Sequence, residues 1–103
     1  MRALPLLEPP RGCGLSAEEL AEQLDRARTL RASARTVARS GDALRVQLGE
    51  VDGALVRTFV ETEQRCCPLL AVAYDEETCV LTIGKAADEG RELVDLFAEV
   101  FDA

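Results

Sequence analysis

Apolar residues recur at helical spacing in three stretches of the chain and alternate with polar ones in the stretches between. The first helical stretch carries Leu20, Leu24, Ala27 and Leu30 or Arg31 on one stripe. Its start is well marked: Ser16 is a good N-cap and Glu19, three residues on, completes a capping box, while Leu15 and Leu20 can form the hydrophobic staple around it. The stretch from Ala32 to Gly49 admits two readings. Ala34, Val37 and Ala38 could prolong the helix to a stop at Gly41. The favoured alternative is a hairpin, with strand Thr36–Arg39, turn Ser40-Gly41-Asp42 and a second, clearly alternating strand Leu44–Leu48.

A second helix is expected over Val51–Cys67, with Asp52 as cap and Leu55, Val56, Phe59 and Val60 on its apolar stripe. Pro68 lacks an N–H and disfavours the helical region for the residue before it, so the helix should end there. Leu69–Tyr74 and Cys79–Ile83 then read as the strands of a second hairpin around Asp75-Glu76-Glu77-Thr78, with Cys79, Leu81 and Ile83 sharing one face and Gly84 closing the strand. Asp88 or a neighbour starts a last helix whose buried stripe is Leu93, Val94, Phe97, Val100 and Phe101. The order helix, hairpin–helix, hairpin–helix predicts an α+β fold, a small mostly antiparallel sheet of two hairpins with helices packed on one face. No sequence repeat accompanies this twofold order. Pro5, Pro9, Pro10 and Gly12 make residues 1–12 a flexible tail, leaving 13–103 as one domain.

The chemistry gathers where the second helix meets its proline. Continuing the Leu55–Val60 stripe by three or four reaches Glu63, then Cys66 and Cys67. Glu63 falls where an apolar residue belongs, and a carboxylate there needs a partner. Two thiols lie within helical reach of it. Adjacent cysteines point about 100° apart on a helix, so both seldom pack alike in a core.

Composition narrows what such a corner can do. The chain has 103 residues, four cysteines and no histidine. Without histidine the commonest metal ligand and general base are missing, and a Cys–His nucleophile is excluded. Zinc prefers paired C-x₂-C or Cys/His spacing, which does not occur. Disulfides are not expected: no export signal precedes the domain, and neighbouring cysteines bridge each other poorly. Three thiolates from Cys13, Cys66 and Cys67 would suit a soft ion of low coordination number: mercury(II), arsenite or copper(I). Cys13, flanked by Gly12 and Gly14, lies just ahead of the first helix, whose electropositive N-terminus favours a thiolate. Cys79 is assigned to the core.

Net charge is −7, which argues against nucleic-acid binding. Arg26, Arg28, Arg31, Arg35, Arg39 and Arg45 share their stretch with a single acid, Asp42, and are read as a solvated face. No apolar run approaches the roughly 20 residues needed to span a bilayer, so no membrane association and a cytoplasmic location are expected.

Cys13-Gly14-Leu15, Gly41, Glu63-Gln64-Arg65-Cys66-Cys67-Pro68-Leu69-Leu70 and Gly84 together follow a known pattern. The chain resembles, over residues 13–101, a family of small bacterial proteins and C-terminal extensions met in mercury- and arsenic-resistance contexts. That family pairs an early Cys-x-Leu with an arginine-rich helix, a hairpin, Glu-x-x-Cys-Cys-Pro, a second hairpin and a last helix. Here Leu69 replaces the usual aromatic, and Cys79 is outside the pattern. The resemblance implies soft-metal handling and a fold similar to the core shared by organomercurial lyase and a copper accessory lipoprotein of nitrous-oxide reductase.

The leading expectation is a protein that binds a soft metal ion, mercury(II) foremost, for sequestration or transfer. Cys66 and Cys67 are its primary ligands, Cys13 closes the site, and Glu63 is a weak ligand or supports the others. No organic cofactor is expected. An organomercurial-lyase-like or other cysteine-dependent enzyme, with Glu63 as acid, is the second reading. The third is a structural or partner-binding domain with core cysteines, in which the basic strip would bind an acidic partner or the last helix would make a homodimer interface.

Overall fold

The computed structural model describes residues 16–66 and 68–102, and only the backbone of residues 66 and 102. Helix α1 (Ala17–Arg31) leads into strands β1 (Ala34–Ser40) and β2 (Ala43–Leu48), then helix α2 (Gly53–Cys66). Strands β3 (Leu70–Asp75) and β4 (Val80–Lys85) follow, and a single 3-10 turn at Asp88–Gly90 runs into helix α3 (Arg91–Asp102). The α+β expectation holds, and the hairpin displaces the helical alternative for residues 32–49.

Local chemistry accounts for the element ends. Ser16 Oγ accepts the Glu19 N–H (3.1 Å) and Glu19 Oε1 accepts the Ser16 N–H (2.9 Å), the capping box in full. Leu15, its expected staple partner, lies outside the described residues. Asp52 caps α2 by accepting the Ala54 N–H through Oδ1 (2.9 Å) and the Val56 N–H through its carbonyl (3.2 Å). The two-residue turn joining β1 to β2 opens with Gly41 at φ +62°, a conformation that costs glycine little.

All neighbouring strands are antiparallel, in the order β1-β2-β4-β3, so one strand of each hairpin forms the centre of the sheet. Leu44 lies opposite Ile83, and Val46 opposite Leu81. With Leu48, Leu70 and Val72 they form the buried face of the sheet. Helix α3 packs across β4, β2 and β1, α2 packs against β3, and α1 rests on both helices. Phe59 of α2 meets Phe97 of α3 edge-to-face, with centroids 5.5 Å apart and an interplanar angle of 83°. Gln64 Nε2 donates to the Val72 carbonyl (2.9 Å), which ties α2 to the edge strand. On the other edge, β1 presents exposed Arg35 and Arg39, which discourage further strand pairing.

The second hairpin differs from the sequence-based expectation at β4, and α2 begins at Gly53 rather than Val51. Gly84 does not close its strand; β4 continues to Lys85, which lies opposite Leu70. Cys79 is not a core residue of β4. Asp75 Oδ1 accepts the Glu77 N–H (2.9 Å), which folds residues 76–79 into a turn, and Cys79 ends that turn at φ +59°. A left-handed residue breaks strand alternation, so the inward face starts at Leu81 and Cys79 is only half-buried.

The segment just after the two cysteines is anchored through Leu69. Its carbonyl accepts the Ala86 N–H (2.8 Å). Gly90 packs against the same carbonyl so closely that a Cβ there would stand 2.1 Å from the oxygen. Backbone cannot yield as a flexible side chain does, so Gly90→Ala should cost about 1–3 kcal/mol, measured by urea unfolding.

Candidate functional site

Helices α1 and α2 run antiparallel: α1 ends where β1 begins, and Ala34 at that start lies opposite Leu48, the end of β2 from which the chain enters α2. Two polar side chains interrupt their otherwise apolar contact. Glu63 is 1% exposed and Gln23 is fully buried. Gln23 Nε2 donates to Glu63 Oε2 (2.8 Å) and to the Phe59 carbonyl (3.1 Å). Gln23 Oε1 in turn accepts from Arg26 Nη1 (2.6 Å). A relay therefore runs from the protein surface through α1 into the carboxyl group on α2. Its last atom, Glu63 Oε1, is buried and has no hydrogen-bond partner among the described residues.

This environment sets the charge of Glu63. Burial removes water from the carboxylate and pushes its pKa above the ordinary glutamate value; the Gln23 amide pulls the other way but does not offset it. A lone neutral donor is weak compensation for a desolvated charge. Burial thus favours the neutral form of this carboxyl group.

Of the predicted site residues, Glu63 lies on α2 as the stripe required, and its buried position matches the expectation. Cys66 is the last residue of α2, and its side chain lies outside the described structure, as do Cys67 and Cys13. Among the described residues no group of three or more Cys, Asp or Glu is placed to hold a metal ion. Sequence reasoning missed Gln23 and Arg26. The signal was available: Gln23 is three residues after Leu20 and four before Ala27, a polar residue on the apolar stripe, as Glu63 is on α2. Arg26, which the charge pattern places on the basic face, is half-buried, whereas Arg28, Arg31, Arg35, Arg39 and Arg45 are exposed. Arg28 pairs with Asp25 (2.6 Å) and Arg39 with Asp95 (2.7 Å).

The remaining cysteine has its own surroundings. Cys79 Sγ lies 3.8 Å from the Glu76 carbonyl, and the thiol stands beside Tyr74. Partial burial of the tyrosine, then the neighbouring thiol, raise the Tyr74 hydroxyl pKa. A groove of about 470 Å³ opens near Tyr74 between α2 and β3, lined by Val56, Arg57, Val60 and Gln64 among others. It contains neither Glu63 nor Gln23.

Among the described residues no helix is long and apolar enough to cross a membrane. Compared with known protein families, curated proteins and solved structures, the chain gives no match.

Two outcomes are expected from these positions. The raised Glu63 pKa means that the native state holds this proton more tightly than the unfolded chain, whose value is about 4.3. The stability that this proton contributes is fully present below that pH and is lost as pH rises through the higher native value. Glu63→Gln keeps an acceptor for Gln23 and never ionises. Its stability relative to the parent chain, from urea unfolding at several pH values, should therefore rise across that window. At Cys79, φ +59° penalises a β-branched side chain but not glycine. Cys79→Gly should be more stable than Cys79→Val by about 1–2 kcal/mol in the same assay.

Proposed function

We propose that the protein binds a thiophilic metal ion, mercury(II) foremost, through Cys66 and Cys67, and holds it or passes it on by thiol exchange. The observation that carries this reading is Glu63: a buried carboxyl group with one oxygen unpartnered among the described residues, three positions ahead of Cys66, the last residue of α2, and four ahead of Cys67 in the sequence. A carboxyl group is costly in such a place unless something there uses it. Two thiolates supply soft, charge-rich ligands, and the lack of histidine leaves little other metal chemistry open.

The packing of α1 supports Cys13 as a third ligand. Because the helices are antiparallel, the start of α1 belongs to the same end of the helix pair as the end of α2. Cys13 precedes Ser16 by three residues, so its Cα lies within about 11 Å of that cap by chain length alone. Closure by Cys13 would make a trigonal thiolate site suited to arsenite.

A second reading is favoured by the raised pKa of Glu63. If thiolates hold the mercury of an organomercurial, a neutral carboxylic acid beside them can protonate the departing carbon, with the carbon–mercury bond breaking and the hydrocarbon leaving. Release of hydrocarbon from an organomercurial by the reduced protein separates turnover from binding alone.

The binding reading is tested by native mass spectrometry of the reduced protein with mercury(II), arsenite, copper(I) and zinc in competition. One mercury(II) per chain is expected, with zinc excluded. Cys66→Ser and Cys67→Ser should each weaken mercury(II) binding by about tenfold or more under thiol competition, a loss of about 1.4 kcal/mol. Cys13→Ser should weaken arsenite binding far more than mercury(II) binding. Unchanged mercury(II) affinity in both Cys66→Ser and Cys67→Ser rejects the site. A metal-free chain that takes up none of the ions favours a structural or partner-binding domain.

A further inference from the structure

We propose that the free edge of β3, together with the groove between β3 and α2, is a docking site for an extended peptide segment of a partner protein. The segment bears basic and apolar side chains and adds to the sheet as a further strand. This goes beyond the metal-binding reading and uses none of its residues.

The two edges of the sheet are built differently. β1 has exposed Arg35 and Arg39, and its pairing with β2 shifts register between Ala34 and Thr36. A charged, irregular strand is a poor template for another. β3 has neither protection. It pairs with β4 without a break, and none of Leu70, Ala71, Val72, Ala73 and Tyr74 is charged or proline. Two hydrogen bonds fix which of its backbone groups face outward. The Leu69 carbonyl accepts the Ala86 N–H on the β4 side (2.8 Å). Backbone groups alternate along a strand, so those of Ala71 and Ala73 face β4 and those of Leu70, Val72 and Tyr74 face away. The Val72 carbonyl agrees, since its partner is the Gln64 side chain and not a strand (2.9 Å). The N–H groups of Val72 and Tyr74 have no partner among the described hydrogen bonds.

These groups call for one kind of partner. Backbone donors and acceptors that recur at every second residue of an edge strand are matched by another extended chain. Gln64 stands in for part of it: its amide lies where an incoming peptide N–H would bind, and the residue is exposed, so it can swing away. The groove of about 470 Å³ beside this edge receives side chains. In an added strand every second side chain turns towards α2, where Val56, Val60 and Tyr74 give an apolar lining. Those between pass beside the small, exposed Ala71 and Ala73.

Charge selects the partner. The groove is rimmed by Glu61, Glu76 and Arg57, none of them in a described ion pair, and exposed Asp75 and Glu77 adjoin it on the turn. The rim is therefore net negative. A second copy of this chain, itself at −7, is repelled, whereas a segment with lysine or arginine is drawn in.

The test uses the full reduced chain and a synthetic hexapeptide, blocked at both ends, that alternates valine and threonine and ends in two lysines. With peptide in excess, hydrogen exchange of the Val72 and Tyr74 amides, followed by NMR, should slow about tenfold or more. Methylating one alternate set of the peptide's backbone nitrogens should abolish binding, and methylating the other set should change it less than about twofold, since only one set faces β3. Replacing the lysines by glutamates should weaken binding about fivefold or more, and the exposed double change Glu61→Lys, Glu76→Lys should reverse that preference. Gln64→Ala removes the competitor for the Val72 carbonyl and should tighten binding. Unchanged exchange at Val72 and Tyr74, or equal effects from the two methylated sets, overturns the proposal, and indifference to charge reversal overturns the choice of a basic partner. Protection of these amides that grows with protein concentration alone, without peptide, assigns the edge to a second copy and overturns it as well.

Discussion

The hydrogen bond from Gln23 to Glu63 is the contact on which the arrangement of the helices depends. Apolar contacts are non-directional, so the stripes alone specify the register of α1 on α2 less sharply than a polar pair does. A buried amide and a buried carboxyl group tolerate one register. If α1 slipped, Glu63 would face Leu20 or Leu24 and Gln23 would lose both acceptors, leaving polar atoms dry and unpaired. The pair thus sets the register of the two helices. The same register sends the start of α1 and the end of α2 to one end of the molecule.

The other side of that end is set by the sheet. Beyond Pro68 the chain passes Leu69 and enters β3 at Leu70, opposite Lys85. The Leu69 carbonyl is bound by the Ala86 N–H and pressed by Gly90 at the entrance to α3. Lys85 is itself held between Asp42 (3.3 Å) and Asp88 (2.9 Å). Such partly exposed ion pairs contribute little stability individually. Here they join the first hairpin, the last strand and the lead-in to α3. In the sequence the motif thus joins a helix whose register is set by a polar pair to a strand whose start is pinned by backbone contacts.

The proposed chemistry follows from what the chain contains and where the protein leaves a need unmet. With no histidine, a metal site must draw on sulfur and oxygen. Glu63 offers oxygen in a setting that disfavours its charge when nothing is bound. Cys79, once removed from the core, has a different character: a half-buried thiol on a left-handed turn residue beside Tyr74. It shares no described contact with the Glu63 relay.

Much of this was legible in the sequence because it is local. Periodicity marked the three helices, alternation and turn residues marked the two hairpins, and the Ser16–Glu19 box marked the start of α1 to the residue. Glu63 on an apolar stripe announced a buried carboxyl group, and that prediction depends only on the 3.6-residue period. Cys79 was misread because strand alternation was extended through a turn, and the Asp75 side chain that bends the chain there leaves no periodic signature. What the sequence by itself determined was the apolar stripe each helix would bury, because that is dictated by neighbours three or four residues away. What only the tertiary structure decided was who meets whom: Gln23 and Glu63 are 40 residues apart, and their contact exists only because two helices pack in one register. The partner of a buried polar group is chosen by the fold as a whole, since any donor brought within reach would meet the same physical need.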